Sequence, residues 1–178
     1  KFKNIIINGG SGGKVDNFIY TSMFSLHDTR DIVLKNISLI NNKIYDDALH
    51  LVYCNNILLE NILIENAFSD ALDIDVSDGI FIKNSIFLNP KNDSIDIMES
   101  RVLVDSTEIF NSGDKGISVG ENSNVIVHNS HLNSNMIGIA VKDNSIAKVV
   151  YTDFNNNIIQ IGSYQKNYKY GNGGKINI

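Results

Sequence analysis

A spacing of 22 to 25 residues runs through the chain and leaves few folds open to it. Short apolar runs of alternating pattern begin at Ile32, Ile57, Ile80, Val102, Val125 and Ala147, so successive starts differ by 25, 23, 22, 23 and 22 residues. A polar column follows each run: Asn36, Asn61, Asn84, Ser106, Asn129, Thr152. A further column closes the next short strand: Asn41, Asn66, Asn89, Asn111, Asn133, Asn155. A third set of runs completes the repeat, from Leu49-His50-Leu51 and Leu72-Asp73-Ile74 through to Ile159-Gln160-Ile161. Three short strands per repeat, with bends marked by asparagine, predict an all-β parallel β-helix, a solenoid of about seven coils of 22–25 residues. Successive coils stack about 4.8 Å apart, so equivalent residues form ladders along the axis. Asparagine suits the bends because it tolerates left-handed backbone angles and its stacked amides can bond to one another. No sustained 3.6-residue period supports helices.

The length of 178 residues suits one domain over 1–178. Ile (28) and Asn (26) together fill 54 positions, which excludes disorder, and the lone Cys54 excludes a disulfide framework. With no His arranged beside it in a triad-like pattern, Cys54 reads as inert packing. The formal charge is −5, and no basic stripe with interleaved aromatics is present, so no nucleic-acid partner is expected. No apolar run approaches the roughly 18 residues of a membrane span. The chain starts at Lys1 rather than Met, and it reads as a fragment of a larger protein with neighbouring domains.

Chemistry gathers on the strand of the third set. Its outward column reads Ser25, His50, Asp73, Asp96, Ser118, Ala140, then Gln160 or Gly162. A second column just before the strand reads Asp47, Asp70, Asp93, Lys115, Ile137. Asp75, Asp114, Glu99, Glu121, Lys142 and Asp143 lie nearby. Like charges stacked one coil apart repel. One carboxylate can therefore keep a proton and serve as a general acid beside a base, or calcium can bridge Asp70 and Asp93, or the face is a solvated surface. Asp70, Asp73, Asp93, Asp96 and Lys115 are the catalytic candidates. His50, Asp75, Asp114, Glu121, Lys142, Tyr164 and Lys166 are the substrate-binding candidates, with the tyrosines either stacking on sugar rings or closing the last coil. Apart from calcium no cofactor is expected. The minimal coils leave little chain for the walls of a cleft, which favours a binding or structural role over catalysis.

Coil length, three-strand pattern and asparagine ladder resemble the right-handed parallel β-helix of the pectate-lyase and polygalacturonase superfamily, over roughly residues 24 to 162. The polygalacturonase motifs compare with Ser69-Asp70-Ala71-Leu72-Asp73, Asn92-Asp93-Ser94-Ile95, Asp114-Lys115-Gly116-Ile117-Ser118-Val119-Gly120 and Gly138-Ile139-Ala140-Val141-Lys142. Asp70, Asp93 and Lys142 match. The paired Asp has become Asn92-Asp93, the His has become Lys115 and the Arg has become Ala140, so the family's proton donor is missing. Stretches such as Ser69-Asp70-Ala71-Leu72-Asp73-Ile74-Asp75, Gly113-Asp114-Lys115-Gly116 and Tyr164-Gln165-Lys166 before Tyr170-Gly171 also resemble small bacterial β-helix modules beside spore-coat-protein-H-type domains in surface proteins. These resemblances imply a carbohydrate-related role with a polysaccharide partner (hydrolase, lyase or epimerase), or a non-catalytic glycan-binding or structural module. They also imply an extracellular or cell-surface location.

Overall fold

The computed structural model describes residues 1–178. Its β-branched runs alternate inward and outward, and the inward residues line one continuous core of 32 buried side chains. Each coil contributes the same positions: Leu49, Leu72, Ile95, Ile117 and Ile139 form one fully buried column, and Ile57, Ile80, Val102, Val125 and Ala147 another. A buried Leu or Ile contributes about 1.5–3 kcal/mol relative to exposure, so these columns hold the coils together.

Two parallel sheets wrap this core. A seven-stranded sheet stacks Ser22–His27, Asp47–Val52, Leu72–Asp75, Ile95–Met98, Lys115–Gly120, Ile137–Lys142 and Ile159–Tyr164. Seven stacked strands bound six full turns, one fewer than the spacing predicts, because the stretch before Ser22 does not form a strand of this sheet. The other two sides form a twelve-stranded sheet. In its early coils Arg30–Ile40 and Asn55–Glu65 are single 11-residue strands that turn the corner at Asn36 and Asn61. Later coils break there into pairs such as Asp78–Lys83 and Ile86–Leu88. Phe2–Asn8 pairs with Arg30–Ile40 at one end, and Lys175–Asn177 pairs with Ile146–Val150 at the other.

The corners are left-handed, as the asparagines predict. Asn36, Asn61, Asn84, Ser106 and Asn129 have φ between 47° and 56°. Asn61 Nδ2 donates to Asn36 Oδ1 at 2.8 Å, and Asn36 Nδ2 to Asn4 Oδ1 at 2.8 Å. In the last coil this corner falls on Tyr151 (φ 48°) rather than Thr152. Thr152 instead accepts the Ser130 N–H on the inner side. The column from Asn41 to Asn155 likewise shifts by one at its end, onto Ser134 and Asn156.

Two segments depart from the minimal coil. An antiparallel hairpin, Gly13–Val15 with Phe18–Tyr20, precedes the first strand of the seven-stranded sheet and carries exposed Val15, Phe18 and Ile19. At the far end residues 165–174 loop back over the last coils, with a single 3-10 turn at Tyr168–Tyr170 as the one helical segment. No helix is long and apolar enough to cross a membrane.

Candidate functional site

On the seven-stranded sheet, residues alternate between core and outside. Leu72 and Ile74 point inward, which turns Asp73 and Asp75 out, and Ile95 and Ile97 do the same for Asp96. Strand register aligns Ser25, His50, Asp73, Asp96, Ser118, Ala140 and Gly162 in one outward column. Gly162, not Gln160, is its last member. At about 4.8 Å per coil the column is about 29 Å long.

The two non-minimal segments frame it. Tyr20, at the end of the hairpin, lies 5.6 Å from the His27 ring, and His27 lies 5.6 Å from the His50 ring. At the other end Asp143 Oδ1 accepts the backbone N–H groups of Lys166 and Asn167, both at 2.7 Å. The Tyr170 hydroxyl reaches Glu99 at 3.2 Å, which ties the loop across two earlier coils. The extra chain sits at the ends of the solenoid, not within its repeats: the hairpin precedes the first strand of the sheet, and in the last coils Ser118 and Ala140 of the column are fully buried.

The predicted residues fall into three groups. At the first coils His50 Nε2 lies 3.2 Å from Asp75 and 3.6 Å from Asp73, while Thr21 Oγ1 sits 3.4 Å from His50 Nδ1. In the middle, Asp70 Oδ1 accepts the Asp93 N–H at 2.7 Å and the Asn92 side-chain amide at 2.8 Å. Asp93 Oδ1 in turn accepts the Lys115 N–H at 2.8 Å, with the Lys115 ammonium at 3.3 Å and also bonded to Asp114. At the last coils Lys142 is 3% exposed and has no ion-pair partner; its Cε lies 3.3 Å from where a side chain on Gly120 would begin, so that glycine makes room for it. Glu121 faces the charges of Lys142, Asp143 and Lys166, and half-exposed Tyr164 lies against Gly162.

Burial and repulsion act together on the acids. Burial, with the charges of Asp73, Asp46 and Asp70, pushes the Asp47 carboxyl up to about 9. Burial, with Asp75 and Asp96, holds Asp73 at about 8. Burial holds Asp70 at about 7 despite the Asp93 N–H bond that lowers it. Asp93 is also raised, by burial and Asp96. For His50, burial works downward but the Asp75 bond and the Asp47 charge outweigh it, and its value rises. Lys115 behaves alike: burial is outweighed by Asp114 and Asp93, so it keeps its proton more tightly than an ordinary lysine. Burial also raises Glu121 and Tyr164.

Asp70 and Asp93 do not converge with a third donor as a calcium pair would, and Asp93 is already engaged by the Lys115 ammonium. The donor atoms that gather are those of Asp47, His50 and Asp73, and of Asp46, Asp47 and Asp70, in each case within 4.8 Å of one another. The repeat places Asp47 in the right column; Asp46, Thr21, Tyr20 and His27 were missed as site residues, Tyr20 and Thr21 because they belong to the irregular chain before Ser22, Asp46 and His27 because no single residue type recurs at their positions in the repeat. Ser118, between Asp96 and Ala140 in the column, is fully buried with its hydroxyl unpaired, as is Asp143 Oδ2. Cys54, by contrast, is buried and donates to the Leu26 carbonyl at 3.3 Å, as inert packing would.

Residues 23–174 match the family described as the right handed beta helix region. No curated protein matches the chain. Among solved structures it is similar to PfbA, a surface adhesin of Streptococcus pneumoniae, with 10% identity and a TM-score of 0.39. That match covers 96% of this chain and 47% of the adhesin, so the chain spans under half the length of that protein.

Proposed function

The chain belongs to the right-handed β-helix family, and from that premise we propose that it is a carbohydrate-related module which takes up a polysaccharide along the outward face of its seven-stranded sheet. The observation that carries this reading is the accessible in-register column Ser25, His50, Asp73 and Asp96, which lies between the Tyr20 hairpin and the Tyr170–Glu99 strap. Carboxylates accept hydrogen bonds from sugar hydroxyls, and tyrosine offers a flat apolar face with a polar edge. The accessible part of the column, from Ser25 to Asp96, is about 14 Å long, with His50, Asp73 and Asp96 along it and Tyr20 at one end, and suits a short stretch of an extended chain. Chemistry on the bound chain would fall to Asp93 and Asp96 with Lys115 beside them, as general acid–base catalysis at a glycosidic bond or at a uronate α-proton requires.

A second reading, a non-catalytic glycan-binding or structural module of a larger bacterial surface protein, is favoured by Lys115. Its ammonium is clamped by Asp93 and Asp114 and is a poor base. In both readings the protein works outside the cell or at its surface.

Incubation with plant and bacterial polysaccharides, with and without calcium, tests the proposal. New reducing ends mean a hydrolase, and ultraviolet absorbance from unsaturated uronate means a lyase. Binding that Asp96→Asn weakens, without any product, means the non-catalytic module. No binding to any glycan defeats the proposal.

A further inference from the structure

We propose that the first coils hold a divalent first-row transition-metal ion on the carboxylates of Asp47 and Asp73 and the imidazole of His50. The three donor atoms lie within 4.8 Å of one another. Ligand bonds of about 2.0–2.2 Å would set such donors roughly 3–4 Å apart, so a small side-chain movement closes the site.

Asp47 supplies the second, independent observation. The residue is 2% exposed, its oxygens keep only marginal solvent contact, and the charges that act on its carboxyl are those of Asp73, Asp46, Asp70 and His50, with no lysine or arginine among them. Its backbone is fixed on both sides, the N–H bonding to the Thr21 carbonyl at 3.3 Å and the carbonyl accepting the Asn42 amide at 2.7 Å. An unpartnered buried carboxylate is expensive, and this one is aimed at His50 and Asp73. The imidazole is already oriented as a ligand. Thr21 Oγ1 faces Nδ1, and Nε2 faces Asp75 at 3.2 Å and Asp73 at 3.6 Å, so a bound ion takes the place of the Asp75 contact while Thr21 holds the other side of the ring.

The surrounding charge points the same way. Asp46, Asp47, Asp70, Asp73 and Asp75 crowd this end, with His50 the one basic group among them. The closest compensating lysine of the column, Lys115, is already taken by Asp93 and Asp114. A divalent cation would neutralise this end of the face. One nitrogen with two oxygens selects zinc or manganese over calcium, which takes six to eight oxygens. The inference does not need the glycan reading, since its tests contain no sugar and either can fail alone.

Chelator-stripped protein titrated with Zn2+ in a calorimeter should bind one ion. Asp47→Asn and His50→Ala should each weaken binding at least tenfold, and Asp114→Asn should leave it unchanged. A measurement on the unaltered protein guards against variants that misfold. Substoichiometric Mn2+ should broaden the His50 ring resonances, and those of neighbouring His27, before those of His128 and His131. The proposal is overturned if no Zn2+ binds, or if Mn2+ broadens all four histidines alike. Calcium binding more tightly than zinc, untouched by His50→Ala, also overturns it in favour of the all-oxygen group Asp46, Asp47 and Asp70.

Discussion

Asn61 occupies a left-handed corner (φ 56°) and donates its amide to Asn36 one coil below. For a residue with a Cβ that conformation costs roughly 1–2 kcal/mol, less for asparagine and least for glycine. Asn61→Ala should therefore lower stability by about 1–2 kcal/mol in urea unfolding, and Asn61→Gly by less. The asparagine columns were legible in the sequence down to single residues until the last two coils, where one column moves onto Ser134 and Asn156 and the other, in the final coil, off Thr152. There the corner keeps its offset from the start of the apolar run and so lands on Tyr151, one residue before Thr152, and tyrosine carries no signature of left-handed geometry. The buried pair of Asp93 and Lys115 makes a second prediction at this scale. Removing one partner of such a pair leaves the other charge uncompensated. Lys115→Met should destabilise by about 2–3 kcal/mol, discounted for the exposure of Asp114, and adding Asp93→Asn should recover most of the loss in a double-mutant cycle.

Coils touch most closely where glycine replaces a side chain. A Cβ on Gly138 would meet the Gln160 carbonyl oxygen at 2.5 Å and the Phe154 ring at 2.7 Å. Gly138→Ala must push the last coil away, and overpacking of this kind costs about 1–3 kcal/mol. The expected result is a lower unfolding midpoint and earlier amide exchange in Ile159–Tyr164. A quieter ladder also joins the elements: Ser77, Ser100, Ser123 and Ser145 each accept, through Oγ, the backbone N–H of the equivalent residue one coil earlier, at 2.8–3.1 Å. Strand order and register follow directly from the repeat, because one alternation and one spacing recur in every coil. The acidic column was equally readable, since its residues sit at fixed offsets. The hairpin over Gly13–Tyr20 and the strap over 165–174 were not. Their positions depend on contacts such as Tyr170 with Glu99, 71 residues apart, which no local pattern encodes.

Across the molecule, the crowded acids tie stability to pH. In metal-free protein Asp47, Asp70 and Asp73 titrate at about 9, 7 and 8, against roughly 3.9 in an unfolded chain. Between those values the folded state binds more protons than the unfolded one, so stability falls as pH rises. The stabilisation from their protonated forms is complete below about pH 4 and is lost as pH climbs through 7 to 9. His50, also raised, acts in the same direction. Thermal unfolding with chelator present should show a higher midpoint at pH 5 than at pH 8. Asp70→Asn should flatten that slope.

The stacking has a mechanical side as well. Apart from the Tyr170–Glu99 strap, each coil hydrogen-bonds to the one above and the one below, with Leu72 paired to Ile95 and Ile95 to Ile117. Pulled apart by its termini, such a chain should spool off from its ends in discrete steps, each releasing one coil of 22 to 25 residues, about 75–85 Å of thread. A molecule that yields by instalments can stretch under load while the coils at its centre stay wound.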